Sequence, residues 1–245
     1  MALTDAGRAF LPYAERAIRA LRDGTSALER LPATEELVLG AAPAISTYVL
    51  PPLLTAYERA SPEVRLNVRT GHSEQVLEMA VRGDIDVGLV RELHHPALET
   101  RFLYTDELVL VVEPGHPLAR QHRVTLDRLR DARLILFDRT SSFYDLTSAL
   151  FRSAGSLPRG VFELDHIDAA KQMVIAGLGV ALLPTTAVAG ELRDGALRRI
   201  DLIGTPPIER RIVAVRRLDD EHRSSPARAF WQLLESYEAP TGGTG

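Results

Sequence analysis

The chain has 245 residues, of which 45% are hydrophobic and 25% charged, and a net charge of −4. That length suits one or two domains, and the balance is that of an ordinary globular protein, which excludes a disordered chain. With no cysteine, disulfides, thiolate-held zinc, iron–sulfur clusters and cysteine nucleophiles are excluded as well.

In chain order, residues 4–31 are predicted to form one helix, with Thr4 placed to cap it. Leu11, Ala14, Ile18, Leu21, Thr25 and Leu28 recur three and four apart, the seam of a short coiled coil. Pro32–Glu36 reads as a linker, and a seam ahead of a linker points to self-association. Beyond it strands and helices alternate: a strand at Leu37–Ala41, a helix at Thr47–Ala60, a strand at Val64–Thr70, a helix at Ser73–Val81 stopped by Gly83, and a buried strand at Asp86–Val90. Two further strands are expected at Arg101–Tyr104 and Glu107–Val112. This βαβαβ order predicts a parallel sheet covered by helices.

The pattern restarts after Glu113-Pro114-Gly115-His116-Pro117. Helices are expected at Leu126–Arg130, Ser142–Ser153 and Ile167–Ala176, and strands at Leu134–Phe137, Gly160–Glu163, Gly179–Leu183 and Leu197–Ile200. After Gly204-Thr205-Pro206-Pro207 come a strand at Ile208–Val215 and a closing helix at Pro226–Tyr237. The expected division is a linker and dimerisation helix over 1–33, one lobe from 34–112 plus 206–238, a second lobe over 113–205, and a disordered tail at 239–245. Two α/β lobes joined by two crossovers enclose a cleft, and open α/β sheets bind ligands beyond the carboxyl ends of their strands.

Catalytic signatures are missing: no nucleophile elbow, P-loop, dinucleotide fingerprint or paired-histidine zinc motif occurs. Asp165-His166-Ile167-Asp168 reads as an acid-capped helix start rather than a base with its orienter. His94-His95 reads as an exposed loop for want of a third ligand, and Asp84 and Asp86 as turn and cap residues. The chain is expected to be no enzyme and to hold no metal or cofactor. No apolar run approaches the ~20 residues of a membrane span, and no secretory signal opens the sequence, so a cytoplasmic location and no membrane partner are expected.

Four segments resemble one family. Leu3-Thr4-Asp5-Ala6-Gly7 with Leu11-Pro12-Tyr13-Ala14, Val81-Arg82-Gly83-Asp84-Ile85-Asp86-Val87-Gly88-Leu89, Glu113-Pro114-Gly115-His116-Pro117-Leu118 and Gly177-Leu178-Gly179-Val180-Ala181-Leu182-Leu183-Pro184 are similar, in order and spacing, to LysR-type transcriptional regulators. The likeness runs from about residue 3 to 237. It implies two Rossmann-like lobes of the periplasmic-binding-protein type II kind behind a long linker helix, and a homodimer or homotetramer that binds a small effector. That family's DNA-reading winged helix-turn-helix lies before the Leu3-Thr4 position, where only Met1 and Ala2 stand. The chain alone is therefore expected to sense ligand, and to reach DNA only through that head in a full-length protein.

Family pattern and local chemistry together suggest an effector site. Pro43, Ala44, Ile45 and Ser46 open the first helix after strand one, where free backbone N–H groups suit an anion. Family members often carry hydroxyls at the positions of Ala42 and Ala44; the two alanines favour a small aromatic or aliphatic carboxylate. His72, after strand two, is a proton sensor, a donor or a helix cap. Arg139, Thr140 and Ser141 follow a strand of the second lobe, with Arg139 either pairing the carboxylate or bridging to Asp138 or Asp145. Arg91 faces the hinge, as structure or as ligand contact, and Phe143 offers an apolar wall. Dimerisation is assigned to Leu11, Ala14, Ile18, Leu21 and Leu28 of the leading helix, with Leu53, Tyr57 and Trp231 on the flanks of the first lobe. The competing reading is a solute-binding protein of a transport system, which needs a signal peptide or lipidated cysteine. A two-lobed enzyme, such as a porphyrin-pathway deaminase or a prephenate dehydratase, is the third. Neither needs the helix at 4–31.

Overall fold

A computed structural model describes residues 35–137, 142–153, 160–218 and 224–237, and before them Thr4, Ala6, Gly7, Phe10, Leu11, Tyr13, Ala14 and Ala17. All of those early positions except Thr4 are helical, and the Thr4 hydroxyl accepts a hydrogen bond from the Gly7 N–H at 3.1 Å, as a cap does. Ile18, Leu21, Thr25 and Leu28 of the expected seam, residues 32–34 of the expected linker and the expected tail lie outside the described residues, and Glu36, placed at the end of that linker, instead opens the first strand.

The first lobe is built from β1 (Glu36–Ala41), α1 (Pro43–Tyr48), α2 (Leu50–Ala60), β2 (Arg65–Thr70), α3 (Ser73–Arg82), β3 (Val87–Arg91) and the start of β4 (Leu98–Val112). β1 pairs in parallel with β2 on one side and β3 on the other. Leu37, Leu39 and Ala41 are wholly buried, as the period of two requires. Gly83 closes α3 at φ 77°, a left-handed cap that a side chain resists. Asp86 accepts the Val38 N–H at 2.7 Å and so acts as a structural cap beside β1.

The second lobe holds β5 (Arg123–Thr125), β6 (Arg133–Phe137), α4 (Ser142–Ser153), β7 (Gly160–Leu164), α5 (Ile167–Ile175), β8 (Val180–Pro184), α6 (Thr185–Asp194) and β9 (Arg198–Ile203). The chain then returns through β10 (Glu209–Arg217) to α7 (Ser225–Leu233) on the first lobe. The strand order is β2-β1-β3-β10-β4-β8-β6-β7, with β9 on β4 and β5. A Cβ on Gly179 would stand 2.5 Å from the Arg133 carbonyl oxygen, so only glycine lets β8 start this close to β6.

Beside the unforeseen short strand β5 and a 3-10 turn at Leu126–Leu129 in place of the helix expected there, three larger expectations change. The single helix at Thr47–Ala60 is two, α1 and α2, divided at Val49. Pro51 and Pro52 cannot donate to the carbonyls four residues back, so a continuous helix would break there. The two strands at Arg101–Tyr104 and Glu107–Val112 are one, β4, which pairs with β10 up to Glu107 and with β8 from Leu108. The polar Thr105-Asp106 read as a break because charged residues rarely face a core, yet Asp106 is 2% exposed. Helix α6 was not foreseen: Ala187 and Val188 are its buried residues, too short an apolar stripe to show periodicity.

Each lobe has its own core. Phe137, Phe143, Phe151, Leu182 and Leu183 lie in the second. Leu37, Leu39, Leu53, Tyr57, Phe230 and Trp231 lie on one face of the first sheet, and Val76, Ile85, Val90 and Val213 on the other. Leu53, Tyr57 and Trp231, assigned above to a dimer face, are thus buried in their own lobe. Tyr57 donates to the Pro226 carbonyl at 3.0 Å and meets Phe230 edge-on. The Arg101 and Arg216 guanidiniums lie 4.6 and 4.0 Å from the Trp231 ring. Their apolar faces turn inward because α2 and α7 are amphipathic helices laid on the sheet.

Candidate effector cleft

A cavity of about 660 Å³ opens between the lobes at the carboxyl ends of β1, β2 and β3. From the first lobe it is lined by the α1 segment Ala42–Tyr48 except Ile45, by Thr70 and His72–Gln75 at the start of α3, and by Arg91. The second lobe contributes Phe143, Asp145 and the α5 entry Asp165–Asp168. Arg210 of β10 also lines it.

Of the expected effector residues, Pro43, Ala44, Ser46, His72 and Arg91 all line this one cavity, as does Phe143. Ile45 does not: it is 1% exposed in the core of the first lobe, because it faces the sheet from α1. Arg139, Thr140 and Ser141 lie outside the described residues. The hydroxyls of Ser46 and Thr47 both donate to the Pro43 carbonyl, at 2.7 and 3.0 Å. Their protons are committed to the backbone, which leaves them acceptors toward the cleft. The His72 N–H donates to Gln75 Oε1 at 2.8 Å, so His72 occupies the cap position of α3.

Arg91 pairs with Glu74, and its N–H donates to Ser73 Oγ at 3.3 Å. Burial pushes the Glu74 carboxyl up, but its own backbone N–H, the Arg91 guanidinium and His72 together hold it below the usual range. Arg210 is far more enclosed, at 9% exposure. It stands opposite Asp106 in the β10–β4 ladder, with Nη2 3.9 Å from Oδ2. Asp106 accepts from the Thr186 hydroxyl at 3.0 Å and the Thr186 N–H at 3.4 Å. The Arg210 guanidinium also lies 4.0 Å from the centre of the Phe143 ring, which belongs to the other lobe. Burial draws both members of this pair toward their neutral forms, lowering the arginine and raising the aspartate, and their mutual attraction opposes it.

On the opposite wall, Tyr48 donates to Asp168 Oδ1 at 2.5 Å. Asp168 also lies 3.5 Å from the Lys171 ammonium, which bonds Glu191 at 2.8 Å. The acid-rich entry to α5 therefore does more than cap: the cap residue His166 makes no side-chain cap bond, while Asp168 reaches across the cleft.

Arg210, Tyr48 and Lys171 were missed from sequence, and two of them carried a signal. Along β10, Arg210, Ile212 and Ala214 share the inward phase of a two-residue period, so a charge stood among core residues. Lys171, the sole lysine of the chain, sits in the buried stripe Ile167, Ala170, Lys171 and Val174 of α5. Tyr48 carried none. Among the described residues, no three histidine, aspartate or glutamate side chains converge as a metal requires.

The family model described as the LysR substrate binding domain matches residues 32–238. The chain belongs to the LysR substrate-binding domain family. The HTH-type transcriptional regulator CbbR of Xanthobacter flavus is 33% identical over 239 residues, covering 95% of this chain and 70% of that protein. The CcmR regulatory domain of Synechocystis PCC6803 in complex with 2-PG superposes with a TM-score of 0.71 at 22% identity, covering 82% of this chain and 95% of that one. The BenM effector-binding domain with its effector benzoate gives 0.67 at 21%, covering 86% and 98%. The superpositions carry the two-lobe fold, and the family likeness places the chain among transcriptional regulators; a transport solute-binding protein is not favoured.

Proposed function

We propose that this LysR-family domain senses a small carboxylate in the interlobe cleft, and that ligand binding changes the relative orientation of the lobes. The observation that carries the reading is the 660 Å³ cavity at the strand carboxyl ends with Arg210 in its lining. A ligand shifts the lobes only by binding one arrangement better than the other. Pro43, Ala44, Ser46, His72 and Arg91 form the first-lobe side of the site, and Arg139, Thr140 and Ser141 complete it from the second lobe. The division into lobes at 34–112 plus 206–238 and 113–205 is supported by the change of partner along β4, from β10 up to Glu107 to β8 from Leu108. The sensor works in the cytoplasm as a homodimer or homotetramer through the leading helix, and controls transcription through DNA-reading heads of the full-length regulator. The effectors bound by the CcmR and BenM domains support a small-molecule ligand here.

A thermal-shift screen of small aliphatic and aromatic carboxylates tests this. At a hundred times Kd a ligand adds about 2.7 kcal/mol, a rise of several degrees for a chain of this size. The expected hit is lost in Arg139→Ala. No stabilisation by any carboxylate of the panel overturns the proposal.

A further inference from the structure

Tyr48 closes α1 and belongs to the first lobe by sequence, yet it and Ala44 pack against the core of the second. What Tyr48 meets there is an ion cluster around a buried lysine. Lys171 is 7% exposed. Its ammonium bonds the Ala187 carbonyl at 3.2 Å and Glu191 at 2.8 Å, and lies 3.5 Å from Asp168. One cation facing two carboxylates leaves one negative charge over. The Tyr48 hydroxyl, donating to Asp168 at 2.5 Å, answers that charge from across the cleft. Its ring meets the same ammonium at 5.1 Å. Burial, with Asp168 and Glu191 close by, pushes the phenol well above its ordinary value, so it remains a donor through neutral pH.

We propose that Tyr48, Asp168, Lys171 and Glu191 form a latch between the lobes that sets the balance between closed and open cleft, and so regulates binding at the effector site. The inference rests on the reading of the cleft as that site. Two features suit a latch. Lys171, Glu191 and Asp168 stay together on the second lobe when the lobes part, so within this cluster opening breaks only what Tyr48 contributes. Asp168 is 57% exposed and rehydrates on release, which keeps the bond separable. Tyr48 and Asp168 also line the cavity itself, so a ligand against this wall touches both halves of the latch.

The absence of cysteine permits a direct test. Cysteines introduced at the exposed positions Glu58 on α2 and Asp194 on α6, one per lobe, carry spin labels, and pulsed dipolar spectroscopy gives the distribution of interlobe separations in the full chain. Tyr48→Phe keeps the ring and removes the donor; Asp168→Asn keeps the shape and removes the charge. Each should raise the ratio of long to short separations roughly three- to tenfold, the range for one net hydrogen bond. The double variant should do no more than the larger single one, because both act on the one Tyr48–Asp168 bond, the first by removing its donor and the second by weakening its acceptor. Unchanged separations in both single variants, or fully additive effects, overturn the latch. Fluorescence of Trp231, the sole tryptophan and buried in the first lobe, should be unchanged in each variant. No ligand enters this measurement, so its failure leaves the effector reading standing, and a failed carboxylate screen leaves the latch standing.

Discussion

Two buried cations back the cleft, and the protein holds them in different ways. Arg210 faces Asp106 from the adjacent strand, at a register fixed by the β4–β10 ladder, and Asp106 is itself only 2% exposed. Lys171 answers to carboxylates that keep contact with water, Glu191 at 25% and Asp168 at 57% side-chain exposure. The first pair cannot relax if one member is lost, because the survivor stays in a low-dielectric enclosure. The second can, because its carboxylates hydrate. The proposed latch needs both kinds: a pair that holds the strands joining the lobes and a cluster that can come apart at the wall.

The difference is measurable as stability. Asp106→Asn keeps the shape but removes the buried charge that faces Arg210, so unfolding in urea should show a loss of about 3 kcal/mol with an unchanged slope. Lys171→Met fills the same stripe of α5 and frees two carboxylates that reach water, so its loss should be about 1 kcal/mol. If Lys171→Met costs as much as Asp106→Asn, the exposure of the partners is not what separates the two clusters.

Which of these features could be read from the amino acids follows from their range along the chain. The alternation of β1 and the stop at Gly83 are written in neighbouring residues, and the order of strands and helices follows from them. Ser46, His72 and Arg91 fall into one site because each stands at or just past the carboxyl end of a strand, a rule of the fold rather than of the residue. The Tyr48–Asp168 bond joins positions 120 apart in sequence, and no local pattern announces it. Asp106 misled because a buried carboxylate is explained only by Arg210 and Thr186, one brought by the returning strand and the other by an unforeseen helix. Pro51 and Pro52 are just as local a signal: their missing N–H groups divide what the apolar pattern alone predicts as one helix.

The cavity's other guanidinium, Arg91, completes the comparison from its weak end. Its partner Glu74 is 59% exposed, so the pair contributes less than about 1 kcal/mol at neutral pH. The signature lies in acid. The Glu74 carboxyl is held below its ordinary value of 4.5 in the folded chain, so between the two values the unfolded chain binds more protons and stability rises with pH. The contribution is complete above the ordinary value and disappears as pH falls through the folded one. Urea midpoints of the parent and Glu74→Gln should therefore differ slightly at pH 7, and the difference should close below about pH 4.5, where the unfolded carboxyl takes up its proton first. A gap that stays constant down to pH 3 would mean that Glu74 acts through its shape or its place in the first turn of α3 and not through its charge, and Arg91 would then hold its position in the cleft by its backbone bond to Ser73.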